Sequence, residues 1–500
     1  LVIISSAQRT RPIAVALAAG FMAALVGSVA AVHYHRLGLT LSHYDARGHL
    51  IVARRIVDSI TPGWQQIGAV WLPLPHLLNA LPAQIDFFYR TGASGVAISV
   101  LSFAVTAGAI VWIVHAITGS IAASAAAALV FVLNPNVVYL QSTPMTEPLL
   151  LALTTAGVAA LVNVARPFKG REGDRGGKMA ALLLSLSCLT RYEAWPVTAA
   201  ALALWMIAQI RNGESWPIAA RRTMSIAISP AIALVAFAIF SRVVVGQWFV
   251  SRDFFVPENK ALGDMAMAVR EIGWGARMLS SAPLAWIGAA GLVAALLTGL
   301  WMPSRAHAMI PIALAATAAL PFAAFYDGHP FRIRYMVPLI AAEAVGVGLA
   351  AGLVRRASVP LAVAAAAITL ATLRPLDRQA PMVVEAQWDR PNVAVRAEVT
   401  KCLGELPPGE KVMASMSSLG HYMQEASRSG LALRDFLHEG NGDIWLAAIQ
   451  RPRPFAGWVL IEEKAEGGDM LARLAREQPH FLDGYSRVCE GAGLALYRRK

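Results

Sequence analysis

"RTRPIAVALAAGFMAALVGSVAAVHYHRLGLTLSHYDARGHLIVARRI", residues 9–56, joins a long apolar run to an abrupt cluster of charge. Residues 12–32 are apolar for the roughly 20 positions that a helix needs to cross a bilayer. That run exceeds the ~7–15-residue core of a cleaved leader, and more such runs follow, so it reads as a retained first span. Asp45, Arg47, His49 and Arg54 come directly after it, among Leu50, Ile51, Ala53, Ile56 and Val57. This mixture suits a helix lying along the membrane interface.

The rest of the chain agrees with a membrane protein. Of its 500 residues 56% are hydrophobic and 15% are charged, whereas a soluble domain carries about 25% charge. Apolar runs recur at 92–115, 118–134, 147–165, 179–191, 194–210, 224–246, 283–302, 308–325, 335–354 and 358–373. The expectation is a mainly α, polytopic transmembrane helix bundle of about 11 spans with interfacial helices, over residues 1–373.

Lysine and arginine set the orientation. With a cytoplasmic N-terminus, the returning loops carry Arg166, Lys169, Arg171, Arg175 and Lys178, then Arg211, Arg221 and Arg222, then Arg305, then Arg355 and Arg356. The segments 33–91, 135–146, 247–282 and 326–334 then face the opposite side of a bacterial inner or plasma membrane, and the tail follows them. The net charge of +12 is largely this topology signal. The cations form no basic stripe, so nucleic acid is not an expected partner.

Residues 374–500 read as a small extracytoplasmic α/β domain. "EKVMASMSS" has the pattern of a strand leading into a helix through "LGHYMQEA", "FAGWVLIEE" that of a second strand, and "YSRVCEGAGLALYRR" that of a terminal hairpin turning at Gly491 and Gly493. Of the 3 cysteines, Cys188 falls in a span, while Cys402 and Cys489 share the tail, where an oxidising compartment makes their pairing plausible. No CxxC, Walker loop or GxGxxG occurs, against redox, ATP-driven or dinucleotide-binding chemistry.

Polar clusters from distant parts of the chain fall on the outer side. The simplest reading of Asp45 is a helix cap. His49, four residues on, shares its face. In "NPNVVYLQSTPMTEPLLL", Glu147 sits at the mouth of a span, where a carboxylate either favours the helix dipole, with Thr143 or Thr146 capping, or turns into a cavity. "CLTRYEAWPV" adds Arg191 and Glu193 in a short turn, and "FYDGHPFRIRYMVPL" adds Arg332, Arg334 and Tyr335. An extended backbone at 332–334 would point both arginines the same way.

The acid after the first span in "HYDARGHLIVARRI", the "VWLPLPHLL" segment, "NPNVVYLQSTPMTEPLLL", "LTRYEAWP", the "RIRYMVPL" loop and an outer C-terminal domain together resemble the GT-C superfamily of integral-membrane glycosyltransferases, in the manner of the protein O-mannosyltransferases (glycosyltransferase family 39) and the lipid A aminoarabinose transferases. The likeness covers residues 1–373. It implies an inverting enzyme that moves a sugar from a polyprenyl-phosphate carrier to a hydroxyl of a glycan, lipid or protein acceptor at the outer face. It further implies that Asp45 is the catalytic base and Glu147 a second catalytic acid. Family members often carry two successive acids where this chain has Asp45 and Ala46. Arg332, Arg334 and Tyr335 match the region that receives the carrier phosphate, with Arg252 and Lys260 as the fallback, and His49, Arg47, Arg191 and Glu193 are orienting or acceptor-side candidates.

Such chemistry needs a base for the acceptor proton and cations for the departing phosphate, and no nucleotide. No cofactor is required; an Mg or Mn ion held by Asp45, Glu147 and a histidine is the alternative arrangement. The competing classes are a transporter or flippase for lipid-linked sugars, which places its polar groups at mid-bilayer, and a noncatalytic scaffold displaying the tail.

Overall fold

The computed structural model describes residues 6–165, 171–248, 259–404, 406–464, 468–478 and 480–500. Each expected apolar run is helical. Among the described residues seven helices or helical runs are long and apolar enough to cross a membrane: Ile13–Arg36, Ala93–Thr118, Glu147–Val164, Trp216–Val245, Ala282–Trp301, Pro303–Tyr326 and Ile333–Leu353. Three of the other runs fall short for identifiable reasons. Ile121–Val132 has 12 residues and covers only about 18 Å. Ser358–Thr372 has 15 residues, and Arg171–Cys188 opens on charge, "REGDRGGK". Arg166, Lys169 and Arg252 lie outside the described residues.

Small residues bring the spans together. Backbones approach so closely at one crossing that a methyl group on Gly291 of Ala282–Trp301 would collide with the Gly346 carbonyl of Leu339–Leu353, and one on Gly346 with Gly288. Lipid offers no hydrophobic drive for helix association, so this intimate packing supplies the attraction. The first span lies against Ala93–Thr118 in the same manner, with Gly20 facing the Ala104 carbonyl and Gly108 the Ala16 carbonyl at 3.1 and 3.0 Å from the Cβ position.

Between the first two of these spans the chain stays at one end of the bundle. It forms the helix Tyr44–Arg55 and the shorter turns Trp64–Ile67, Leu74–Asn79 and Asp86–Thr91. Two cross-links tie this segment to a distant loop, Leu74 N donating to Leu189 O at 2.9 Å and Tyr192 Oη to Ala69 O at 3.1 Å, while within it Arg54 Nη1 meets Asp86 Oδ1 at 2.7 Å.

The C-terminal sheet holds β1 (Val412–Ala414), β2 (Phe436–Leu437), β3 (Trp458–Glu462), β4 (Tyr485–Gly491) and β5 (Leu494–Arg499). Its order is β2-β1-β3-β5-β4. β1 pairs parallel with β2 and β3, and β5 antiparallel with β3 and β4. The β4–β5 turn runs through Ala492 at φ 50 and Gly493 at φ 84, a tight left-handed reversal. Cys402 and Cys489 form a disulfide with Cα atoms 6.4 Å apart, within the usual reach. It fastens the helix Asn392–Lys401 to the edge strand β4.

This sheet domain is fixed to the bundle through the Tyr44–Arg55 helix. Tyr44 Oη donates to Ser417 O at 2.9 Å. Arg47 pairs with Glu425, which also takes Arg396 at 2.8 Å. Arg55 reaches the Met416 sulfur. Buried Asp58 accepts from Leu433 N, Arg434 N and Arg434 Nε at 3.3, 3.3 and 2.7 Å.

Candidate active site

Asp45 occupies the first turn of its helix but does not cap it. The cap is His43, whose Nδ1 accepts from Asp45 N at 3.1 Å. The Asp45 carboxylate is thereby released, and its Oδ2 pairs with Arg334 Nη1. Burial works to raise its pKa, yet Arg334, His43 and His49 together hold the carboxyl well below the ordinary range. His43 Nε2 in turn faces Glu385 Oε1 at 3.4 Å. In Glu385 burial is again outweighed by the cations, so that acid too is held low.

Arg334 lies in a 3-10 turn, Ile333–Met336, following an extended Arg332 at φ −132, ψ 111. The continuous extended backbone expected over 332–334 is absent, because the chain is already winding into the Leu339–Leu353 helix. The Arg334 guanidinium sits 5.6 Å from the Tyr335 ring centre, a cation–π distance. Tyr335 Oη contacts His329 Nε2 at 3.2 Å.

A second ionic group stands beside the first. Arg191 Nη1 is 2.9 Å from Glu147 Oε1, and Nη2 is 2.7 Å from Glu193 Oε1. Arg191 Nη1 also donates to Thr146 Oγ1 at 2.9 Å. Glu147 is therefore charge-compensated while both its oxygens, fully buried, accept no hydrogen bond from the described residues. Thr146 stands at the helix N-cap position without capping, its oxygen being turned to Arg191. For Arg191, burial opposes the charge, but Glu147 and Glu193 prevail and keep it firmly protonated.

His49 completes the cluster. Its Nδ1 lies 3.1 Å from His76 Nε2, and His76 Nδ1 lies 3.0 Å from Leu72 O. The Trp71 ring covers it at 4.3 Å between centres. Burial lowers both imidazoles; for His76 the effect reaches about 3, with Arg55 adding to it.

The sequence candidates thus divide. Asp45, Arg334, Glu147, Arg191, Glu193 and His49 converge, and the charges of Arg191 and Arg334 act on His49 together. Arg47 points the other way, into the sheet domain at Glu425. His43, His76, Trp71 and Glu385 belong to the site and were not singled out in the sequence, although His76 lies inside the quoted "VWLPLPHLL" segment. A metal held by Asp45, Glu147 and a histidine does not fit this arrangement. Asp45 is engaged by Arg334 and Glu147 by Arg191. Among the described residues no group of 3 or more His, Cys, Asp or Glu is placed to hold an ion.

With this geometry in hand, comparison with known proteins is informative at the level of fold. No protein-family model matches the chain, and no curated protein sequence matches it. Solved structures do. ArnT from Cupriavidus metallidurans bound to undecaprenyl phosphate superposes with a TM-score of 0.61 at 13% identity, over 95% of this chain and 97% of that one. Its apo form gives 0.59 with the same identity and coverage. The Archaeoglobus fulgidus oligosaccharyltransferase, solved with Zn and sulfate, gives 0.51 at 12% identity, over 96% of this chain and 73% of that one. The chain has the fold of the GT-C membrane glycosyltransferases, sheet domain included, and is a multi-pass membrane protein.

Proposed function

We propose that the protein is an inverting glycosyltransferase which moves a sugar from a polyprenyl phosphate to an acceptor hydroxyl at the extracytoplasmic face. The observation that carries this reading is the Asp45–Arg334 pair at one end of the bundle. A largely buried carboxylate and a largely buried guanidinium are what such a displacement needs: one takes a proton, the other takes a phosphate. A fold shared with a protein crystallised with undecaprenyl phosphate supports the choice of carrier.

The pairing also orders the events. In the free protein Asp45 is a weak base, because Arg334 stabilises its charge. A donor phosphate competes for that guanidinium, in bonds that arginine forms in a fork geometry. Asp45 loses its counter-charge as the phosphate docks, and its proton affinity rises where the acceptor hydroxyl arrives. The hydroxyl oxygen then forms a bond to the anomeric carbon as the bond to the phosphate oxygen breaks. The proton passes to Asp45, and polyprenyl phosphate leaves with its charge on Arg334. Arg191, fixed between Glu147 and Glu193, pairs with both acids beside the sugar.

The test is Asp45→Asn, which keeps the shape and removes the basic oxygen. Transfer should fall by about 100-fold or more, while donor lipid is retained through copurification. Identification of that lipid's headgroup would name the sugar. Wild-type turnover by the variant would remove Asp45 from the mechanism.

A further inference from the structure

Every hydrogen bond in the His49–His76 chain has a determined direction. Leu72 O only accepts, so His76 Nδ1 carries the proton. In a neutral His76 the other nitrogen, Nε2, is then bare and must accept from His49 Nδ1. Neutral His49 is left with a bare Nε2, buried, with no hydrogen-bond partner among the described residues. A protonated His49 would instead bury an unpaired N–H, with burial, His76, Arg191 and Arg334 opposing its charge and Asp45 favouring it, a costly arrangement.

His49 lines a recess together with Thr146, Asn79, Pro75, Gly95 and Leu149. The position thus offers one unsatisfied neutral acceptor, His49 Nε2. A buried acceptor of this kind costs about 1–3 kcal/mol when left unpaired. A ligand that brings its own O–H or N–H groups removes that cost; a phosphate, which brings only acceptors, does not.

We infer that His49 Nε2, fixed as an unprotonated acceptor by His76 and Leu72, binds a hydroxyl or amino group on the sugar ring of the lipid-linked donor. This rests on the glycosyltransferase reading above and assigns its sugar-binding group. His49 is a binding residue here, distinct from the Arg334 site that takes the phosphate. His76 acts through it, as a positioning residue.

The test compares carriers with and without sugar. Undecaprenyl phosphate alone, and the same lipid bearing mannose or 4-amino-4-deoxyarabinose, are titrated onto the full-length protein in nanodiscs. Wild type should bind at least one glycosylated lipid more tightly than the bare lipid. His49→Phe should lose about tenfold on that lipid, the value of one hydrogen bond, and under about twofold on bare undecaprenyl phosphate. His49→Gln, whose amide oxygen reaches the place of Nε2, should recover part of the loss. An unchanged preference in His49→Phe overturns the inference and leaves the glycosyltransferase reading standing, as does a wild type that binds bare and glycosylated lipids alike. A wild type that binds none of these lipids overturns both. The tautomer is checked without any variant: nitrogen NMR of 15N-histidine-labelled protein, assigned through the coupling across the His49–His76 hydrogen bond, should show His49 Nε2 unprotonated. A proton on it also overturns the inference.

Discussion

Asp45 and Arg334, 289 residues apart in the chain, neutralise each other at the end of the helix bundle. Neither charge is free until something displaces the other. Several expectations can be derived from this and from the neighbouring contacts.

Arg334→Lys keeps the charge and loses the fork. The ammonium can still compensate Asp45, so the fold should persist, but phosphate binding should weaken about tenfold, seen as a raised KM for the lipid donor. Arg332→Lys, outside the Asp45 pair, should be milder, and Tyr335→Phe milder still. Full donor affinity in the double lysine variant would move the phosphate site away from this turn, with Lys260 next in line.

Arg191 holds two buried acids, so its removal has a predictable cost. Arg191→Met should destabilise the protein by about 3–5 kcal/mol, as loss of one partner from a buried ion group does. Adding Glu193→Gln should restore part of that stability. Melting curves in detergent measure both, and additive losses in the double variant would show that the three groups do not act as a unit.

Acid should loosen the protein through its buried histidines. Burial holds His76, His421 and His438 at about 3, with Arg55 assisting in His76 and His438 and Arg396 in His421. In the unfolded chain these imidazoles take protons near 6.5. The unfolded state therefore binds more protons between about pH 6.5 and 3, and stability falls as pH drops through that window by up to ~1.4 kcal/mol per pH unit for each histidine. Asp45 acts lower still: its contribution, present above the unfolded carboxylate value, is lost only as pH falls through its depressed folded pKa. His438→Gln should flatten the pH dependence of the melting temperature; an unchanged slope would mean that His438 is protonated in the folded protein.

Cys402 and Cys489 should resist maleimide until reduced, and Cys188, buried, should stay unlabelled in both states. Reduction should cost about 2–5 kcal/mol in the sheet domain. Protease added from the extracytoplasmic side should reach residues 374–500; digestion from the cytoplasmic side alone would reverse the proposed orientation.

Much of this architecture was legible in the sequence, and the exceptions have physical causes. Apolar runs announce spans because lipid imposes length and composition. Glu147 stands out because a carboxylate at a span boundary is costly without a partner, and Asp45 because it opens the charged cluster after the first span. The identity of the partner was not legible, since Arg334 and Arg191 are brought there by helix packing. Arg47 shows the opposite lesson. It stands two residues from Asp45, and helical positions i and i+2 do not share a face, so its turn toward Glu425 could have been anticipated. His76 was hidden because its partner lies 27 residues away on another turn. In the tail, β2 was missed because two residues carry no alternation to read.

The attachment of the sheet domain to the Tyr44–Arg55 helix bears on biosynthesis. Tyr44 emerges from the ribosome 373 residues before Ser417, the partner that fixes it. Arg334, which neutralises Asp45, follows it by 289 residues, and Glu425, which pairs with Arg47, follows that residue by 378. The helix that carries Asp45 therefore gains its charge partner before the sheet domain that braces it has been made. On the proposed function, catalytic competence waits until synthesis has passed Glu425 and the sheet domain has closed on the Tyr44–Arg55 helix.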